Sequence, residues 1–139
     1  MAESTLYTVR SEARGIDLAP RKVKIVSDLV RGRSVADALI ILEHTPRRSA
    51  RPVAKAIASA RANAVNNHGL DAKSLTISTL SVTAGTRLKR FKPHMRGMAL
   101  PFQKKTSHIL VEVTGTEKPK KKPAAKKVAT PAATKEEEK

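Results

Sequence analysis

The sequence predicts an α+β fold in which three helices pack on a small antiparallel sheet and a long β-hairpin protrudes. Apolar residues recur at helical spacing in residues 19–69 and alternate with polar ones in residues 74–84 and 107–113. A long basic connection joins the two alternating stretches. With 139 residues, we predict a single α+β domain, residues 1–114, followed by a disordered Lys/Ala/Pro-rich tail, residues 115–139.

The first predicted helix lies in "APRKVKIVSDLVRG", residues 19–32. Val23, Val26 and Val30 fall on one side at helical spacing, while the cationic residues leave that stripe free. Gly32 is a typical C-terminal stop. This segment therefore predicts a helix with an apolar face towards the core and a basic face towards solvent.

The second predicted helix begins after Ser34, which is a favourable N-cap because its hydroxyl can accept a bond from the backbone N–H of Asp37. Its expected buried face consists of Val35, Ala38, Leu39 and Leu42.

The third predicted helix lies within residues 47–69 and has many small residues, which allow close packing against a neighbour. Pro52 leaves two alternatives: the helix begins near Arg51, or its first turns are kinked. Its expected buried side consists of Val53, Ile57, Ala60 and Ala64.

Three strands are predicted. In residues 74–84 the apolar alternation slips by one residue, which indicates a β-bulge near Thr79. Residues 107–113 alternate without a slip, so Ile109, Val111 and Val113 share one face. The stretch "LYTVRSE", which contains Val9, is a candidate third strand at the sheet edge.

The net charge indicates a polyanionic partner. The chain has 28 Lys and Arg residues against 12 Asp and Glu, a net charge of +16. Residues 115–139 contribute eight Lys and four Glu, so +12 remains on residues 1–114. The tail lacks large apolar residues, and we expect it to be disordered. The basic character therefore belongs to the folded domain as well as to the tail.

Residues 85–107, "GTRLKRFKPHMRGMALPFQKKTS", form the basic connection, with seven Lys or Arg residues and no carboxylate. Loops of this length are usually functional or disordered. Both arms contain β-compatible residues, so we predict an extended hairpin over about residues 83–107. Paired arms of roughly 11 residues would project about 35 Å. Pro101 lacks a ladder donor, and we expect the pairing to be interrupted there.

The same region resembles the bacterial large-subunit ribosomal protein L twenty-two family. That family typically shows Pro-Arg-x-Arg/Lys-Gly-Arg-Ala, a spacer, and then Lys-Arg-Thr-Ser-His-Ile. The resemblance extends over about residues 8–114, through "RKVKIVSDLVRGRSVADALIIL" and "ASARANAVNNHGLD". The matching hairpin positions are Pro93, Arg96, Gly97, Ala99, Lys104, Thr106, Ser107, His108 and Ile109.

The resemblance implies a structural component of the large ribosomal subunit. Such a protein binds large-subunit ribosomal RNA, aids assembly and lies beside other large-subunit proteins. Its hairpin extends to the wall of the peptide exit tunnel, near the nascent peptide. This sequence departs from the family pattern at His94, Met98 and Lys105, and Pro101 and Phe102 are unusual in the returning arm.

The candidate RNA-binding residues form two sets. Cations are expected to contact mainly phosphates, which position a protein on RNA without reading its sequence. The hairpin set consists of Arg87, Lys89, Arg90, Lys92, Arg96, Gly97, Lys104, Lys105, Thr106, Ser107 and His108. The N-terminal set consists of Arg10, Arg14, Arg21, Lys22 and Lys24, and the candidates for the tunnel tip are His94, Met95 and Met98.

Several of these residues have simpler structural explanations. A turn alone accounts for Gly97. Thr106, Ser107 and His108 precede a strand and are suited to capping and ladder-edge hydrogen bonds. Met98 fits either an apolar tunnel-facing tip or a neutral exposed position.

Other function classes find little support. The chain has no cysteine, which excludes disulfides and thiolate metal sites, and it has no Gly-rich phosphate loop or metal-binding motif. We therefore expect no enzyme activity, no metal, no cofactor and no small-molecule substrate. Aromatic residues are scarce, which argues against a stacking platform for single-stranded nucleic acid.

The location is expected to be cytoplasmic. The first 15 residues lack the apolar core of a signal peptide, and no apolar run approaches the roughly 18 residues of a membrane span. The basic segments lack the contiguous apolar face that membrane-surface binding requires, so no membrane partner is expected.

A histone-like DNA-binding protein is the alternative function. The observation that favours it is the Lys/Ala/Pro-rich tail, which looks like the tails of linker histones and bacterial nucleoid proteins. Basic low-complexity tails also occur on unrelated proteins.

Overall fold

The computed structural model of the chain describes residues 7–117, and the predicted disordered segment from 118 onward lies outside them. The predicted α+β class, with three helices and an antiparallel sheet, is confirmed. In chain order the elements are β1 (Tyr7–Ile16), α1 (Pro20–Val30), α2 (Val35–His44), α3 (Ala50–Asn66), β2 (Thr76–Pro93), a 3₁₀ turn (Met95–Gly97) and β3 (Ala99–Gly115).

The sheet has the order β1-β3-β2, with all neighbours antiparallel. The predicted N-terminal strand is confirmed at one edge, where Val9 pairs with Val113. β3 is the central strand, and its Ile109, Val111 and Val113 are fully buried against the helices. One face of the sheet therefore carries the core, and the central strand connects that core directly to the hairpin.

The helices bury the stripes that their spacing predicts. In α1, Val23, Val26 and Val30 are buried, and Gly32 follows the helix with a φ of 74°. The Ser34 hydroxyl oxygen accepts a hydrogen bond from the Asp37 backbone N–H at 3.1 Å, which confirms the N-cap. In α2 three of the four expected positions are buried, and Leu39 is partly buried.

α3 begins at Ala50, so Pro52 lies in the first turn. The first backbone N–H groups of a helix have no partner within the helix, and a proline there removes no hydrogen bond. Of the two alternatives, a helix that begins near Arg51 is therefore the correct one. All four expected core residues, Val53, Ile57, Ala60 and Ala64, are fully buried.

Two irregularities interrupt the pairing of β2 with β3. The first lies between Ile77 and Thr79, as the slip in the alternation predicts. The second lies between Ala84 and Arg87 and was not predicted. It falls where the three-stranded sheet changes into the two-stranded hairpin.

The expected interruption at Pro101 is wrong, because Pro101 pairs opposite Phe91 without a register shift. β1 pairs with β3 only as far as Ser107, so the outer edge of β3 at Pro101 has no neighbouring strand among the described residues. A proline is tolerated at such an edge when its nitrogen faces away from the ladder.

The ordered pairing extends slightly beyond the expected domain boundary at residue 114. β3 ends at Gly115, and Leu70 forms an isolated antiparallel bridge with Glu117. A Cβ atom on Gly115 would lie 2.6 Å from Leu75 Cδ2, so this end of β3 is packed closely against the core.

Candidate nucleic-acid interface

The hairpin consists of the distal halves of β2 and β3. Beyond the end of β1 the two strands continue alone through seven pairs, from Arg87 opposite Lys105 to Pro93 opposite Ala99. At about 3.3 Å per residue this two-stranded part is about 23 Å long. That is shorter than the expected 35 Å, because the first residues of the predicted hairpin still belong to the three-stranded sheet.

The hairpin tip is a tight turn closed by two backbone hydrogen bonds. The His94 N–H donates to the Met98 carbonyl at 2.8 Å, and the Met98 N–H donates to the Met95 carbonyl at 3.3 Å. Arg96 and Gly97 both have left-handed backbone conformations, with φ of 55° and 73°. The turn therefore explains Gly97, while Arg96 is an unusual non-glycine residue in this region.

The tip candidates are solvent-exposed. Met95 and Met98 retain 72% and 65% of their accessible surface, and His94 is exposed. Two thioether side chains at the end of a basic hairpin give the tip an apolar, adaptable surface.

Six of the seven hairpin cations make no salt bridge within residues 7–117. The exception is Lys104, whose Nζ lies 2.8 Å from Asp17 Oδ2. All seven side chains are exposed. The hairpin therefore presents a dense positive surface, with one local acidic partner that sequence spacing did not reveal.

Thr106, Ser107 and His108 were expected to precede the final strand, but they lie within β3, at the base of the hairpin. Thr106 is 8% exposed and donates from Oγ1 to the Thr86 carbonyl at 2.7 Å. Ser107 is fully buried, and its hydroxyl has no hydrogen-bond partner among residues 7–117. The partly buried His108 accepts at Nδ1 from the Gly15 N–H at 3.0 Å. These contacts shape the protein itself, as the simpler structural explanation requires.

Glycine is required at residue 85 in the same region. A Cβ atom there would lie 2.5 Å from Thr106 Oγ1 and 3.2 Å from both His108 Nε2 and the Thr106 carbonyl carbon. Gly85 thus permits the close approach of the two strands at the second irregularity.

Members of the two basic sets meet at the base of the hairpin. Arg21, from the first turn of α1, lines a small cavity of about 130 Å³ together with Arg87 and Lys105. The start of α1 has no side-chain N-cap and no acidic residue in its first turn. The positive end of the helix and three cations therefore surround one concave site.

The remaining N-terminal cations differ in their surroundings. Arg14 donates to Glu12 Oε2 at 2.9 Å, and this hydrogen bond and ion pair lower the pKa of Glu12 and raise the pKa of Arg14. Arg10 lies on the open face of the sheet, opposite Glu112. Lys22 and Lys24 are exposed on α1.

A third basic surface was missed by the sequence reasoning. The end of α2 and the start of α3 form a groove of about 830 Å³, lined in part by Arg47, Arg48, Arg51 and Glu43. The stretch "TPRRSARP" contains these three arginines without a carboxylate, and a local charge count would have found them.

Two other features, a metal-binding group and a membrane-spanning helix, are not formed by the described part of the chain. Within residues 7–117, no three His, Cys, Asp or Glu side chains lie together as a metal-binding group. Among the same residues, no helix is both long enough and apolar enough to cross a membrane.

Comparison with known proteins confirms the family resemblance over most of the domain. The family described as "Ribosomal protein L22p/L17e" matches residues 11–114. Large ribosomal subunit protein uL22 of Lactobacillus helveticus is 47% identical over 114 residues, which cover 82% of this chain and 97% of the relative. The proteins of the same name from Lactobacillus gasseri and Lactobacillus delbrueckii subsp. bulgaricus are 46% identical with the same coverage. The chain therefore belongs to the L22p/L17e family of ribosomal proteins.

Proposed function

We propose that the chain is a structural component of the large ribosomal subunit that binds large-subunit ribosomal RNA and extends its hairpin to the wall of the peptide exit tunnel. The observation that carries this proposal is a paired, almost uncompensated basic hairpin in a member of a ribosomal protein family. The family is not one of enzymes, and its relatives are named as proteins of the large subunit, which is cytoplasmic in bacteria.

Phosphate contact is the main expected role of the hairpin. Arg87, Lys89, Arg90 and Lys92 follow one another along β2 and are exposed. Two-stranded ribbons are marginally stable in water, and repulsion among these cations weakens this one further. RNA on both sides would neutralise the cations and hold the strands straight, so insertion between RNA segments suits the hairpin.

The domain body is expected to bind RNA at two further places. The cavity at the hairpin base brings Arg21, Arg87 and Lys105 around the positive end of α1, a combination that favours a phosphate group. The groove of about 830 Å³ lined by Arg47, Arg48 and Arg51 is the second place, and its three cations suit the phosphates of an RNA backbone. Contacts at two separate places on the domain body would fix the orientation of the hairpin, and this supports a role in subunit assembly.

The tip is proposed to face the nascent peptide. The exposed thioethers of Met95 and Met98 add apolar surface beside the exposed Arg96 at the tip. Flexible thioether side chains suit contact with passing peptides of varied sequence. Thr106, Ser107 and His108 are assigned a supporting role, since their side chains make the hairpin base rigid rather than presenting polar groups to RNA.

A charge-matched pair of variants tests the RNA-binding role. Replacement of Arg87, Arg90 and Lys92 by Gln should weaken binding to a large-subunit RNA transcript and reduce the slope of log affinity against log salt by about 2 to 3. The control replaces Lys55, Arg61 and Lys73, three exposed body cations outside the proposed surfaces. Gradient sedimentation of cell lysates should then show reduced incorporation into large subunits for the hairpin variant alone.

Two results would contradict this function. Equal losses in both variants would mean that general charge, not the hairpin, drives binding. Binding of duplex DNA as tight as that of ribosomal RNA at the same salt would instead favour the histone-like alternative.

A further inference from the structure

The distribution of aromatic residues is unusual. The chain has one Tyr, two Phe and no Trp, and its core is built from aliphatic residues. Both phenylalanines lie in the hairpin, where Phe91 and Phe102 are 72% and 48% exposed. Burial of a Phe side chain stabilises a protein by about 1.5–3 kcal/mol, and this chain leaves both outside its core. An exposed aromatic ring on a basic hairpin is suited to a ligand.

The pairing register places the two rings on opposite faces of the hairpin, because directly opposed residues share a face and successive residues alternate. We define two faces by their members. The Phe102 face consists of Leu88, Arg90, Lys92, Leu100, Phe102 and Lys104. The proline face consists of Arg87, Lys89, Phe91, Pro93, Ala99, Pro101, Gln103 and Lys105.

Phe102 lies among charges that suit a nucleotide. Arg90 is directly opposite it, and Lys92 is the diagonal neighbour on the same face. Neither cation makes a salt bridge within residues 7–117, although the Arg90 guanidinium donates to the Lys89 carbonyl at 2.9 Å. One aromatic face beside two cations provides a stacking surface and phosphate partners together.

Phe91 has different neighbours. Pro101 is directly opposite it, and Pro93 follows two residues later on the same face. The distal half of the proline face is therefore apolar, and the three cations of that face, Arg87, Lys89 and Lys105, lie on the side of the hairpin base. Phe91 is thus opposite a proline, whereas Phe102 is opposite an arginine, although both rings belong to the same hairpin.

We propose that Phe102, with Arg90 and Lys92, forms a site that stacks an unpaired RNA base and binds the adjoining phosphates. This inference rests on the proposed RNA-binding function and adds a base contact to it. Proteins bind unpaired RNA bases by stacking them on aromatic rings and arginine planes. The low aromatic content argues against a platform of many rings, but a single stacking position requires one ring only.

The absence of tryptophan provides a direct test in the full chain. In the Phe102→Trp variant, the indole is the only one, and stacking on a base should quench its fluorescence. The probes are a short oligoadenylate and an abasic oligonucleotide of the same length and charge. We expect quenching by the oligoadenylate but not by the abasic probe, and much weaker quenching in the matched Phe91→Trp variant. Equal quenching by both probes, or equal quenching of both variants, would overturn the site.

Affinity measurements separate failure of this site from failure of RNA binding. Phe102→Leu keeps an apolar, strand-compatible side chain but removes the ring. It should reduce affinity for a large-subunit ribosomal RNA transcript by about fivefold to 100-fold, whereas Phe91→Leu should leave it unchanged. Equal affinities of wild type and Phe102→Leu would overturn the stacking site alone. Failure of the wild-type chain to bind the transcript would overturn the proposed function itself.

Discussion

Lys104 Nζ lies 2.8 Å from Asp17 Oδ2, so a carboxylate in the segment between β1 and α1 is paired with the returning arm of the hairpin. Both side chains are about half exposed. An exposed pair of this kind contributes little to folding, and a phosphate can replace the carboxylate as the partner of Lys104. The main effect of this contact is therefore to neutralise one cation of the hairpin, and its contribution to the stability of the domain is small.

Asp17→Asn should increase RNA affinity without unfolding the domain. Loss of the pair should change the free energy of unfolding by less than about 1 kcal/mol, while the freed Lys104 strengthens binding at low salt. Chemical denaturation and fluorescence anisotropy with labelled RNA measure the two effects. Asp28→Asn is the control, because it removes an ion pair with Arg31 on the body with the same change in charge, while Arg31 keeps its hydrogen bond to the Leu80 carbonyl. An equal gain in affinity from both variants would contradict a specific effect on the hairpin.

Ser107→Ala should leave the domain as stable as the wild type or make it more stable by about 1 kcal/mol. The Ser107 hydroxyl is fully buried and has no hydrogen-bond partner in the part of the chain that the structure describes, so its removal relieves an unsatisfied polar group. The control is Ser27→Ala, since Ser27 is equally buried but donates to the Val23 carbonyl at 3.2 Å. We expect this control to lose stability in urea denaturation. RNA affinity should be unchanged by Ser107→Ala, and a large loss of affinity would assign Ser107 a contact that its burial excludes.

Gly85→Ala should destabilise the hairpin base by roughly 1–3 kcal/mol, as small-to-large substitutions in packed sites do. The added methyl group would meet Thr106 Oγ1 and the Thr106 backbone. A double-mutant cycle with Thr106→Ala checks the cause, because removal of Oγ1 relieves part of the clash. Strictly additive losses in thermal denaturation would show that the two positions do not interact.

Gly97→Ala should loosen the hairpin tip without lowering the melting temperature. The left-handed backbone at Gly97 costs a residue with a Cβ atom roughly 1–2 kcal/mol, and no neighbouring atom lies within 4 Å of that position. Hydrogen exchange should be faster at the His94 and Met98 amides, which close the turn. Gly32→Ala introduces similar strain directly after α1, whose apolar side is part of the core, and should therefore lower the melting temperature. An unchanged exchange rate at the tip would contradict the turn geometry.

Replacement of Arg47, Arg48 and Arg51 by Gln should weaken RNA binding. It should also reduce the slope of log affinity against log salt by about 2 to 3. These arginines line one groove, so their phosphate contacts should be lost together. The triple variant of Lys55, Arg61 and Lys73 again provides the charge-matched control. A slope equal to that of the wild type would show that the groove does not contact RNA.

Much of the fold follows from local pattern. Val23, Val26 and Val30 predict the buried side of α1 because helical spacing determines which residues share a face. The slip at Thr79 likewise predicts a bulge, since strand alternation has a period of two. These features depend on neighbours in sequence, and all of them are present in the structure.

The features that sequence did not predict depend on distant residues. Asp17 and Lys104 are 87 positions apart, and only the topology brings them together. The close contact of Gly85 with Thr106 is also non-local. It lies at the register shift between Ala84 and Arg87, which no break in the apolar alternation of the sequence indicates. The two faces of the hairpin required the exact register, because a shift of one residue would place Phe91 and Phe102 on the same face.

Photo-crosslinking from Met98 tests the central claim, that the hairpin is a shaped RNA-binding element, most directly. A crosslinking amino acid at this exposed tip position would be activated in cells, and the attached nucleic acid would be sequenced. The account predicts crosslinks confined to a few neighbouring nucleotides of large-subunit ribosomal RNA. Crosslinks scattered over DNA and unrelated RNAs would contradict it and would identify the segment as a general basic arm.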